Sequence, residues 1–120
     1  MQSAEEWPPE LDALIAAPNH HTLMYENDAV RVLDTRIPAG DTVPVHTHCW
    51  PSVLYVIEWS DFVRRDADGR VMVDSRKGKP IPNESALWTE PMPPHTLENV
   101  GTNELRVLSV ELKLANGDLH

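Results

Sequence analysis

The stretch VPVHTHCWPSVLYVIEW, residues 43–59, places His46 and His48 one residue apart at the mouth of an apolar run. Side chains alternate faces along a strand, so these two imidazoles point the same way and Thr47 points the other. Neutral imidazoles at that spacing can chelate one ion and suit zinc, iron, nickel or copper. A His-x-His pair also arises by chance, and its plain reading is two polar residues at a sheet rim. A third histidine shifts the balance toward a metal. In PMPPHTLENVG, His95 opens another strand after a proline-rich bend, with Asn99 on the same face if that strand is regular. Prolines fix the backbone at low entropic cost, which helps to aim a ligand.

Other side chains near this constellation have two readings each. Cys49 adjoins His48, but alternation turns it off the histidine face, which favours a small buried or rim residue over a ligand or nucleophile. Trp50 and Trp88 read equally well as pocket walls and as core, whereas Tyr55 reads as core. Glu90 reads as a solvated turn residue more readily than as a ligand. His20 and His21 follow the first helix in a loop and read as surface residues, and His120 ends the chain. RRDADGR, residues 64–70, reads as a charged hairpin and not as a basic patch. No glycine-rich phosphate loop and no nucleophile elbow occur.

The elements that must position these residues are mostly strands. PPELDALIAA, residues 8–17, has prolines in its first turn, acidic residues at its positive end and Leu11, Leu14 and Ile15 on one face, which predicts a short helix. Then the helical period vanishes. HTLMYEN and AVRVLDTRI predict strands around a turn, PAGD breaks the chain, and PSVLYVIEWSDFVRR and RVMVDSR flank the hairpin signal DADG. SALWTE, HTLENV and ELRVLSVELKL predict the last strands. One small helix and seven or eight strands predict an all-β sandwich or barrel, and the lack of crossover helices excludes a parallel α/β fold. The division expected is a helix and lead-in over residues 1–22, a β-barrel over 23–114 and a frayed tail over 115–120.

The chain has 120 residues, enough for one domain, and 10 basic against 19 acidic residues give a net charge of −9. That balance argues against nucleic-acid or anionic-membrane partners, which need basic surfaces. A single cysteine, no apolar signal core and no long apolar run lead to the expectation of a cytoplasmic protein.

Over roughly residues 25–112 the chain resembles the cupins, in particular small RmlC-like ones. Their first motif is matched by Gly40, five residues, then His46 and His48, and the end of their second by His95 and Asn99. The resemblance implies a jelly-roll barrel of two antiparallel sheets with a metal inside, held by His46, His48 and His95. The motif glutamate, however, falls at Ser52 and its closing glycine at Trp59, while Glu84, Glu90 and Met92 replace the Gly, Pro and Gly that precede the second-motif histidine. Either three histidines hold a divalent ion (Fe, Zn, Ni or Mn) with open positions, or the site is an apo ligand pocket. Ser52, Trp50, Trp88 and Asn99 are the expected pocket residues.

Three functions follow as expectations. The first is a metal-dependent enzyme, dioxygenase-like or isomerase-like, acting on a small anionic organic molecule. The second is a non-catalytic module that binds a small molecule or metal, and the third a barrel with a vestigial site. A homodimer is expected, because HTLMYEN is an apolar edge-strand candidate. The N-terminal helix is expected to pack outside the barrel, away from the site.

Overall fold

The computed structural model describes residues 7–113, so the tail expected to fray lies outside the described residues. In chain order the strands are β1 (His21–Glu26), β2 (Val30–Ile37), β3 (Thr42–His48), β4 (Ser52–Glu58), β5 (Phe62–Asp66), β6 (Val71–Asp74), β7 (Ala86–Thr89), β8 (Met92–Asn99) and β9 (Leu105–Leu112). They form two sheets with antiparallel pairing, ordered β1-β2-β9-β4-β7 and β3-β8-β5-β6. The chain changes sheet at nearly every connection after β2, which is the jelly-roll path.

Alternation in β2 buries Arg31, Leu33, Thr35 and Ile37, and in β9 it buries Leu105, Ser109 and Glu111. Ala17, Ile37, Val43 and Leu105 cluster in the core, with Phe62, Leu97 and Val107 packed against them. The expected single run over residues 51–65 is two strands in different sheets, β4 and β5. The crossing is made at residues 59–61, where Ser60 Oγ donates to Asn99 Oδ1 at 2.8 Å. Gly101 packs so closely here that a Cβ would lie 2.1 Å from Ser60 Oγ, so a side chain at 101 is excluded. Gly40, at φ +86°, turns the chain into β3.

The lead-in differs from expectation. The helix expected over residues 8–17 is a 3₁₀ turn, Pro9–Leu11, followed by α1, Ala13–Ala16. Asp12 breaks it, in extended conformation (ψ 142°), because its carboxylate caps α1 by accepting from Leu14 N–H at 3.1 Å. The buried residues are Ala13 and Ala17, whereas Ile15 is exposed. Small side chains let the segment lie close against β1 and β3, and Asp12 bridges to Thr47. That bridge explains why Thr47, on the face opposite the histidines, is buried. β1 begins at His21, two residues before the expected barrel boundary.

Candidate metal centre

Four histidines from three strands converge at one end of the interior. His46 and His95 are direct cross-strand partners on β3 and β8, and their ring centroids lie 4.2 Å apart. β3 shifts register on either side of His46, and these irregularities aim His46 and His48 individually. The fourth is His21, at the head of β1. It is buried, which corrects the expectation of a surface residue. The ligand atoms of His21, His46 and His48 all lie within 4.8 Å of one another. His95 flanks this triad, 5.7 Å from the His48 ring. β1 thus adds His21 to the expected His46, His48 and His95, and His95 lies nearest to His46.

Each ring is held by the same device. His46 Nδ1 donates to the Pro44 carbonyl at 2.8 Å, His95 Nδ1 to the Pro93 carbonyl at 2.7 Å and His21 Nδ1 to the Ala17 carbonyl at 2.9 Å. His48 Nδ1 donates to Glu111 Oε2 at 3.0 Å. Carbonyls and carboxylates only accept, so each Nδ1 carries a proton, and a ring in its neutral form keeps its lone pair on Nε2. Four imidazoles fixed in that tautomer fit a transition-metal ion. In His46 and His95 the acceptor is the carbonyl of a proline two residues earlier, a local arrangement that both proline-flanked histidine segments share.

Burial reinforces the neutral state. It pulls His46 down to about 2, His95 to about 3 and His21 to about 4, and the neighbouring rings add mutual repulsion. Glu111 is fully buried and also accepts from Arg31 Nε. Burial alone would raise its pKa, but His48 and Arg31 hold the carboxyl below its usual range. Arg31 in turn grips both oxygens of Asp12 at 2.9 Å. An ionic chain thus runs Asp12–Arg31–Glu111–His48, and the Ala17 carbonyl at the C-terminal cap of α1 holds His21. The lead-in reaches the site at two points, contrary to the expectation that it stays clear.

The histidines open on a cavity of about 190 Å³ between the sheets. Its walls are largely apolar, including Val43, Val56, Phe62, Leu97 and Val107, with Ser52, Thr89 and Ser109 as polar points. Ser52 is buried here, its hydroxyl 2.7 Å from Thr89 Oγ1. The other expected pocket residues lie elsewhere. Trp50 stacks outside the cavity against Arg31 and Lys113, at 5.0 and 5.5 Å. Trp88 is exposed in an adjoining outer recess and donates to Glu90. Asn99 is buried in a structural role, donating to the Ile37 and Asn103 carbonyls and accepting from Ser60 and Gly101. Trp59 lines the cavity in their stead. Cys49 is half-buried, and burial pushes its thiol up.

Two residues of the cavity escaped sequence reading. His21 carries only a weak signal, a histidine heading an apolar strand. Arg64, in the segment read as a plain charged hairpin, shares the inward face of β5 with Phe62. Alternation marks that face, since Arg65 turns outward to Glu98 at 2.9 Å.

No family model matches the chain, and no curated protein matches it. Solved structures do. A cupin domain from Bordetella pertussis Tohama I is similar with a TM-score of 0.64 at 17% identity, covering 78% of this chain and 92% of its own. The polyketide cyclase RemF from Streptomyces resistomycificus gives 0.54 at 16%, covering 95% and 79%. A predicted oxalate decarboxylase from Thermotoga maritima gives 0.50 at 22%, covering 78% and 79%. The architecture is the cupin double-stranded β-helix.

Proposed function

We propose that this chain, a cupin by fold, binds one divalent transition-metal ion through His21, His46, His48 and His95 and acts on a small anionic organic molecule in the adjoining cavity. The observation that carries the reading is the uniform protonation pattern: four Nδ1–H groups tied to acceptors leave four Nε2 lone pairs at one end of the cavity. When bound, the metal supplies Lewis acidity or, if iron, a means of activating dioxygen.

The chain's own residues bind and exclude. The apolar walls remove water from a bound molecule and strengthen the polar contacts that remain. Ser52 and Thr89 offer hydroxyls that can orient it. Glu111 keeps the His48 proton on Nδ1 and does not reach the cavity. Among the described residues that line the cavity, none is a carboxylate, so no acidic side chain there serves as general base. That favours chemistry carried by the metal over acid–base chemistry carried by the protein, and solved structures of the same fold named as a polyketide cyclase and a predicted oxalate decarboxylase are consistent with it.

The test is elemental analysis of untagged protein, with about one metal per chain expected, and of His21→Ala, His46→Ala, His48→Ala and His95→Ala. Each variant is expected to lose most of the metal. Folded wild-type protein that takes up no transition metal after reconstitution would overturn the reading.

A further inference from the structure

Arg64 stands apart from the other arginines. Arg31, Arg36, Arg65, Arg76 and Arg106 each pair with a carboxylate at 3.1 Å or closer, and Arg70 is exposed. Arg64 is half-buried, and among the described residues its one side-chain partner is the Met92 thioether, with Nη1 3.5 Å from Sδ. A thioether is a weak acceptor and carries no charge. An uncompensated guanidinium in an apolar wall is costly, so an anion is the natural occupant of the space before it. In a protein with 19 acidic and 10 basic residues, an arginine left without a carboxylate partner at a cavity wall is the exception.

Its position says what the anion is attached to. Arg64, Thr89, Met92 and His95 line both the inner cavity and the outer recess, so Arg64 sits at the throat between them. It pairs in register with Leu97, two residues along the same strand from His95. A molecule held at Arg64 therefore has the apolar cavity and the histidines in front of it. A cavity near 150 Å³ accommodates benzene, so about 190 Å³ admits one ring or a short branched chain.

We infer that Arg64 anchors the carboxylate of a small monocarboxylic acid, roughly six to ten heavy atoms in size, whose apolar body fills the cavity toward the histidines. The inference deepens the proposed function and rests on it for the cavity being the substrate site. The guanidinium offers a fork of donors that matches a carboxylate, and among the described residues no carboxylate pairs with it; Glu90, which lines the same outer recess, accepts from Trp88 instead.

The experiment uses benzoate and its neutral isostere benzamide as probes, titrated calorimetrically into full-length protein both stripped of metal and loaded with zinc. Metal-stripped wild type is expected to bind benzoate at least about tenfold more tightly than benzamide. Arg64→Met, close in length and uncharged, is expected to erase that preference, and Arg64→Lys to retain part of it. If Arg64→Met does not fold, Arg64→Gln carries the same comparison. Equal benzoate affinity in wild type and the uncharged variant would overturn the assignment, as would a wild type that does not distinguish the two probes. Metal content is measured alongside. Arg64→Met with wild-type zinc and no benzoate preference supports the anchor, whereas a wild type that takes no zinc yet prefers benzoate through Arg64 removes the metal reading alone.

Discussion

Glu111→Gln is the sharpest probe of how the centre is built. Glu111 is fully buried and accepts two hydrogen bonds, from Arg31 Nε and from His48 Nδ1 at 3.0 Å. Glutamine keeps the shape but has one accepting oxygen and one donating amide. The charged Arg31 donor takes the oxygen, since charge-assisted bonds are the stronger. The amide nitrogen then faces His48 Nδ1 donor to donor, and the ring escapes by moving its proton to Nε2, which removes a metal-binding lone pair. Altering such a supporting partner costs about 10- to 100-fold in metal affinity, or about 1.4–2.7 kcal/mol. Orphaning a buried ion costs about 3–5 kcal/mol, but Arg31 keeps both contacts to Asp12, so a stability loss of about 2–3 kcal/mol is expected. Chelator competition reads the affinity, urea unfolding of metal-stripped protein the stability, and ¹⁵N imidazole shifts the tautomer. A folded Glu111→Gln protein with wild-type affinity and His48 still protonated at Nδ1 would refute the reasoning.

Four further outcomes are expected. In metal-stripped protein, His21, His46 and His95 titrate at about 4, 2 and 3 when folded against 6.5 unfolded, so below pH 6.5 the unfolded chain binds more protons. Stability is thus full above pH 6.5 and falls as pH drops toward those folded values, by at most about 1.4 kcal/mol per pH unit per histidine, and a flat profile in urea unfolding between pH 6.5 and 4 would contradict this. Asp12→Ala removes the cap of α1 and half the carboxylate cradle of Arg31, and is expected to lower the thermal midpoint and weaken metal binding at least about threefold; unchanged affinity would confine the lead-in to a structural role. Ser52→Glu sets a carboxylate directly opposite Glu111 in register, so like-charge repulsion should lower stability at neutral pH and relax in mild acid, and a variant as stable as wild type would show that the new side chain turns away. A homodimer is expected from the β1 edge, where Leu23, Met24 and Tyr25 are each about half exposed, and a monomer by light scattering at micromolar concentration would refute it.

The parts of the fold legible in the sequence are those where period and turn chemistry agree. β2 alternates cleanly, and Gly40 and Gly69 sit at turns with positive φ. The split between β4 and β5 was not legible, because the crossing residues 59–61, Trp-Ser-Asp, contain no glycine or proline to mark a break, and packing around Ser60, Asn99 and Gly101 imposes it. Within the site, His46, His48 and His95 were legible from spacing and from the resemblance to cupins. Trp50 and Asn99 were misplaced because alternation predicts which face a side chain takes but not what lies on that face. His21 and Glu111 were invisible for another reason: each is one of several polar residues in its strand, and its role depends on pairing between segments far apart in sequence, such as the Arg31–Glu111 contact across 80 residues.

The same pairing bears on position 52, where the resemblance to the cupin motif leads to the expectation of a glutamate and this chain has Ser52. The cupin motif would place a carboxylate at Ser52, among the residues that face the cavity. Here the acidic residue stands on the neighbouring strand, at Glu111, directly opposite Ser52 in register. It reaches the centre from behind, through His48 Nδ1, with its charge shared with Arg31 and Asp12. Two carboxylates and one guanidinium leave a single negative charge in that chain, buried outside the cavity. What lines the cavity is then the four histidines and, near His95 on the neighbouring strand, Arg64. Glu111 holds a proton on His48 Nδ1 without adding a carboxylate to the residues that line the cavity. A carboxylate entering that interior meets no acidic side chain on the described walls and one guanidinium at the throat, as the anchoring proposed for Arg64 requires.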